Sequence, residues 1–152
     1  MNLIATLIYD LPSAVARRLA WLAPLIARLT IGWVFVSTGW GKLHNLQGII
    51  DYFTELGIPY PQYQAPFASA NEFVCGLLVL VGLATRLASI SLIIVMFVAI
   101  KTAQWGNVDS LAGFFGLTEW AYVAIFAWLA LAGPGPISLD RLIAGAMNRQ
   151  EI

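Results

Sequence analysis

The chain has 152 residues, 60% of them hydrophobic and 11% charged, with a mean hydropathy of +0.80. Soluble domains carry about 25% charged residues and are about half apolar, so this balance marks a membrane protein with little soluble mass attached. A formal net charge of zero leaves no basic nucleic-acid surface or acidic tail, and the single Cys75 and single His44 exclude an internal disulfide, a CxxC pair, a thiolate metal cage and bis-His haem within one copy.

Residues 1–20 are expected to form a cytoplasmic or interfacial segment. Met1 to Tyr9 is mildly apolar without a positive start, and Arg17 and Arg18 follow it, so no removable signal peptide is expected. Residues 21–133 then hold four apolar stretches. A hydrocarbon core of about 30 Å needs roughly 20 helical residues. Trp21–Lys42, Pro66–Ala84, Leu87–Trp105 and Leu117–Gly133 meet that need, the last only if its helix begins earlier, near Ser110.

Between the first two spans, Leu46, Ile49, Ile50, Phe53 and Leu56 share one helical face, and Gln47, Asp51, Thr54 and Glu55 share the other. This predicts a short amphipathic helix on the outer surface, stopped by Gly57 and kept from resuming by Pro59 and Pro61. It packs over the bundle mouth or acts as a lid. After the fourth span, Gly133-Pro134-Gly135-Pro136 ends the helix, and residues 134–152 form a cytoplasmic segment. There Ser138 caps a short interfacial helix with Leu139, Leu142, Ile143 and Met147 on its apolar side. The predicted fold is therefore all-α, an integral membrane four-helix bundle with one short helix at each surface. Arg17, Arg18, Arg86, Arg141 and Arg149 lie on one side and Lys42 on the other, which places both termini in the cytoplasm of a bacterial inner membrane.

Charges inside apolar spans are costly and mark a site or a lock. Arg28, Gly32, Phe35, Gly39 and Lys42 follow alternating steps of four and three, forming one stripe on the first span. Ala68, Glu72 and Gly76 form a second stripe, with Asn71 beside it; Phe97, Lys101 and Gln104 form a third, and Glu119, Tyr122 and Phe126 a fourth. All four stripes are expected to face inward. With the second span starting at Pro66, Glu72 lies roughly 9–10 Å below the outer boundary, within reach of Lys101, while Lys42 and Glu119 form a second pair nearer the mouth. Three cations against two carboxylates leave a spare positive charge to be met by an anion, a quinone oxygen or Asp51. The bland reading is that such pairs fix register and bind nothing. Cys75 reads as an inert buried thiol, His44 as a surface residue, and the aromatic residues as interfacial belt and packing.

Several of these residues carry a recognisable pattern. Arg28-Leu29-x-x-Gly32 with Gly39-x-x-Lys42-Leu43, the loop Phe53-x-x-x-Gly57-x-Pro59-x-Pro61, the run Glu72-x-x-x-Gly76-x-Leu78-x-x-x-Gly82-x-x-Thr85-Arg86 and the ending Gly133-Pro134-Gly135-x-x-Ser138-Leu139-Asp140 together resemble the DoxX family, in order along nearly the whole chain. The resemblance implies a four-helix bacterial inner-membrane protein. Family members are linked to a terminal quinol oxidase and a thiosulfate:quinone oxidoreductase, as small subunits beside soluble partners. It carries over Arg28, Lys42, Glu72 and Arg86; Lys101 and Glu119 rest on spacing alone.

The expected function is a quinone-interacting or sulfur-metabolism-linked subunit of a membrane oxidoreductase, with no covalently bound cofactor and no metal, and a quinone as the cofactor. Glu72, Lys101 and Glu119 are the candidate catalytic groups, and Arg28, Lys42, Trp40 and Asn71 the candidate quinone-binding groups. The expected partners are the lipid bilayer, oxidoreductase proteins and further copies of the chain. A non-catalytic scaffold or assembly factor is the alternative. A small-molecule carrier fits less well, because matching broken helices in two halves are missing.

Overall fold

A computed structural model of the protein describes Ile8 and residues 10–147. The expectations for Met1–Leu7 and Tyr9, and for the charge of Arg149, lie outside the described residues. Every regular element among those described is helical. In chain order they are α1 (Leu11–Leu19), α2 (Leu22–His44), α3 (Leu46–Glu55), α4 (Pro61–Val81), α5 (Thr85–Ala99, continued by a π turn over Ile100–Gln104 and a 3-10 turn over Trp105–Asn107), α6 (Leu111–Phe115), α7 (Thr118–Ala132) and α8 (Leu139–Met147). Helices α2, α4, α5 and α7 run up and down as a four-helix bundle. α2 packs mainly on α4, and α5 mainly on α7; α4 against α5 joins the two pairs, and a smaller α2–α7 contact closes the ring.

Three helical stretches, Leu22–His44, Pro61–Val81 and Thr85–Gln104, have the length and apolar composition to cross a membrane, and Thr118–Ala132 is a shorter apolar helix. The outer surface fits that solvent: Trp33, Phe67, Leu87, Ile94 and Leu131 are all exposed. With no water in the hydrocarbon, a helix satisfies its backbone within itself, which is why the spans are helical throughout. The protein is a multi-pass membrane protein. Its core is Ile31 and Phe35 of α2, Val79 of α4, Leu92 of α5, and Phe126 and Leu129 of α7. Phe35 meets Phe126 and Tyr122 edge-on, with ring centroids 5.0 and 5.4 Å apart.

The α2–α4 contact depends on glycine. A Cβ on Gly39 would lie 2.5 Å from the Phe73 nitrogen, and one on Gly76 would lie 2.8 Å from the Val36 nitrogen. Without hydrophobic drive between helices in lipid, such close backbone approach is what holds them together.

Two boundaries differ from the sequence expectation. α4 begins at Pro61, not Pro66, because proline fits a helix's first turn, where its missing N–H leaves no bond unmade. Pro61 therefore opens the helix it was expected to block, and Pro66 lies inside it. The fourth span does not extend back to Ser110. Ser110 instead caps α6, its Oγ accepting from the Gly113 N–H at 3.0 Å, and Gly116 with an extended Leu117 separates α6 from α7.

Candidate functional site

At the end of the bundle covered by α3, the four long helices part around a cavity of about 420 Å³. Its walls are apolar: Val34 and Phe35 of α2, Phe67 and Ala68 of α4, Val95, Met96 and Ala99 of α5. The amphipathic helix α3 closes it from above with Tyr52 and Phe53, joined by Leu56 and Ile58 from the segment that follows. Ile58 is buried, Phe53 and Leu56 half-buried, while Gln47 and Asp51 bond to each other at 2.9 Å on the outer face. The helix thus serves as the roof of the cavity.

Each of the four long helices places a polar group at the cavity. Lys42 of α2 donates through Nζ to both carboxylate oxygens of Glu72 of α4, at 2.6 and 2.7 Å. The Glu72 side chain is 5% exposed and that of Lys42 38%, so the carboxylate is the buried partner and the ammonium keeps access to the open side. On the other wall, Gln104 Nε2 from the π turn of α5 donates to Glu119 Oε1 of α7 at 3.0 Å. Tyr122, one turn past Glu119, lines the same space, as do Thr38, Gln64 and Thr102.

This pairing replaces the expected one. Glu72 pairs with Lys42 and not with Lys101, and Glu119 meets an amide and not Lys42. Starting α4 at Pro61 puts Glu72 about 16 Å along its helix, deeper than expected. The glycine contacts bring α2 against α4 at that depth, so the lysine stem descends to the carboxylate. Lys101 is exposed and lies off the cavity. Its inward neighbours on α5 are Ser89, Leu92, Met96 and Ile100. A step of three returns to nearly the same face of an α-helix, but not through the wider i→i+5 turn, so the π turn carries Gln104 to the cavity and leaves Lys101 and Phe97 outside. The cavity therefore holds one cation and two carboxylates, not the expected excess of positive charge.

The remaining candidates are placed elsewhere. Arg28 is 2% exposed at the opposite end of the bundle, where Nη2 donates to the Ile137 carbonyl at 2.6 Å, so it does not reach toward Glu72. Trp40 is exposed on the outside of α2, its ring tilted against His44 and Phe73 with centroids 4.2 and 5.6 Å away. Asn71 ties helices together: its Oδ1 accepts from Ser91 of α5 at 2.9 Å and from the Cys75 thiol at 3.2 Å. Thr38 and Gln64 were missed as lining residues. Thr38 is signalled by its place three residues after Phe35 and four before Lys42; Gln64 becomes visible only once α4 is known to start at Pro61.

The DoxX family model matches residues 23–105. Inner membrane protein YphA of Escherichia coli (strain K12) is 32% identical over 125 residues, covering 77% of this chain and 87% of that protein. Membrane protein Rv3486 of Mycobacterium tuberculosis is 36% identical over 128 residues, covering 77% and 78%. A Bacillus subtilis (strain 168) protein named "Putative oxidoreductase CatD" is 30% identical over 121 residues, covering 78% and 85%. No solved structure matches the chain.

Proposed function

The chain belongs to the DoxX family, and from that premise we propose that it binds a quinone or quinol in the cavity beneath α3 and serves as the membrane subunit of an oxidoreductase. One observation carries this reading: four helices each place a polar group, Lys42, Glu72, Gln104 and Glu119, at the rim of one apolar cavity. Ligand sites are typically clefts of about 300–1,000 Å³ with apolar walls and a few convergent polar groups, and a ring with oxygens at its edge matches that division. The name of the Bacillus subtilis relative points in the same direction.

When bound, a quinone would supply two-electron, two-proton chemistry, taking electrons from a donor, or as quinol giving them to an acceptor, in a partner oxidoreductase. The chain's own groups bind and move protons. Lys42 is held at Glu72 with donor capacity left for a ring oxygen, since an ammonium has three N–H bonds. Glu119 is held by an uncharged amide and is the carboxylate positioned to accept a hydroxyl proton and return it. Glu72 is a positioning residue that fixes the ammonium, and α3 keeps water off the site. The protein sits in the bacterial inner membrane with α1 and α8 at the cytoplasmic face. Arg17, Arg18, Arg86 and Arg141 gather at that end, whereas the other carries Lys101 and Lys42, the latter neutralised by Glu72.

The test is a titration of the purified chain, in phosphatidylcholine nanodiscs, with short-tailed ubiquinone and menaquinone analogues, read by tryptophan fluorescence. Saturable quenching is expected with at least one analogue, weakened about ten-fold in Glu119→Gln, the loss of about 1.4 kcal/mol expected for one charged hydrogen bond. Linear, non-saturating quenching with both analogues overturns the proposal.

A further inference from the structure

At the opposite end of the bundle, the turn between α7 and α8 is fastened from several sides. Buried Arg28 holds the Ile137 carbonyl at 2.6 Å. The Asp140 N–H donates to the Gly82 carbonyl at 3.0 Å, and its carboxylate accepts from the Ala84 N–H at 2.8 Å and the Thr85 N–H at 3.4 Å, at the start of α5. Ser138 Oγ donates to the Gly135 carbonyl at 2.9 Å and accepts from the Arg141 N–H at 3.3 Å. Gly82, with φ +75°, has no room for a side chain, because a Cβ there would collide with the Arg28 guanidinium. The turn is thus fixed before anything binds to it.

That fixed turn forms one wall of a groove of about 610 Å³, whose floor is Gly133-Pro134-Gly135-Pro136. Arg86 of α5 and Arg141 of α8 both line it. Both are exposed, and neither makes a side-chain hydrogen bond or ion pair among the described residues. Asp140 also borders the groove, but both its oxygens are engaged by the first N–H groups of α5. The groove therefore offers two uncommitted guanidinium groups and carries a surplus of one positive charge. Exposed Leu131, Ile137, Leu142 and Ile143 adjoin its lining residues along the chain, an apolar border suited to acyl chains.

We propose that this groove binds the phosphodiester headgroup of an anionic phospholipid, with Arg86 and Arg141 as its two ligands and the acyl chains lying along Leu131 and Leu142. Guanidinium donates paired N–H bonds in the geometry that phosphate oxygens accept. A preformed cradle loses little freedom on binding, and basic pockets between helices near the membrane surface take anionic headgroups in this way. The surplus charge selects phosphatidylglycerol-type lipids over the zwitterionic phosphatidylcholine, whose choline cation the arginines repel.

The full chain, reconstituted into equal mixtures of phosphatidylglycerol and phosphatidylcholine and then re-extracted in detergent, is assayed by mass spectrometry for co-retained lipid. Phosphatidylglycerol is expected several-fold above its bulk share. Arg86→Gln and Arg141→Gln should each cut that enrichment about five-fold, and the double variant should return it to the bulk ratio. Melting in phosphatidylcholine alone checks that each variant folds, and Arg141→Gln, on an exposed helix, stands as the single-site test if the double variant does not. Inorganic phosphate, compared with chloride at equal ionic strength, should displace none of the retained lipid. A bulk lipid ratio in the unmodified chain overturns the proposal, as does unchanged enrichment in a folded variant. Displacement by inorganic phosphate also overturns it, by making the groove a soluble-anion site.

Discussion

The two ends of the bundle make opposite use of charge. At the α3 end, Lys42 and Glu72 form a bidentate pair and Gln104 meets Glu119, both beside a cavity of about 420 Å³. At the other end, Arg28 and Asp140 are spent on backbone groups of neighbouring turns, packed so closely that Gly82 tolerates no Cβ. The first cluster has open space next to it and the second is a clasp. A charge buried in a membrane helix thus signals strong constraint, whether it lines a cavity, as Glu72 does, or fastens a turn without lining one, as Arg28 does.

That contrast can be broken or sharpened by substitution. The largest effect is expected from Gly39→Leu, which forces a side chain into the Phe73 backbone and prevents α2 from closing on α4; a loss of about 3 kcal/mol should appear as failure to resist denaturation in detergent. Arg28→Ala is expected to cost about 2 kcal/mol, from lost packing and a lost hydrogen bond to Ile137, while leaving quinone affinity in nanodiscs unchanged. A loss of affinity at Arg28 equal to that at Glu119 would erase the distinction between the ends. Glu72→Gln should show both characters: melting lowered by about 1 kcal/mol for the broken charge-assisted bonds, and weaker binding because Lys42 is no longer held. Glu119→Gln keeps an amide-competent shape and should affect binding with little effect on melting. Lys101→Gln, on the exposed side of α5, should stay within about 0.5 kcal/mol of the unmodified chain in stability.

Much of this architecture was legible in the sequence, for identifiable reasons. The stripe Arg28, Gly32, Phe35, Gly39 on α2 was readable because that helix is regular for 23 residues, and its buried face is the predicted one. The amphipathic α3 was readable from strict segregation of its two faces. What failed was local. The separation of Gln104 from Lys101 and Phe97 depended on a π turn, which leaves no mark in the pattern of apolar residues. The depth of Glu72 depended on which of Pro59, Pro61 and Pro66 begins a helix, since proline both ends and starts them. The pairing of charges inherited both errors: Lys42, Glu72, Gln104 and Glu119, each named on an inward stripe, lie at the cavity, but Glu72 pairs with Lys42 and Glu119 with Gln104.

The shortness of α7 has a consequence for the lipid around it. Its 15 residues rise only about 22 Å, against about 30 Å of hydrocarbon. Such a shortfall is relieved by thinning the bilayer, and here Gly116 ends α6, so that α6 does not lengthen the span. Thinning draws headgroups and water toward the ends of a short helix. Glu119 stands in the first turn of α7, so on this flank the membrane surface comes close to the second carboxylate of the cavity.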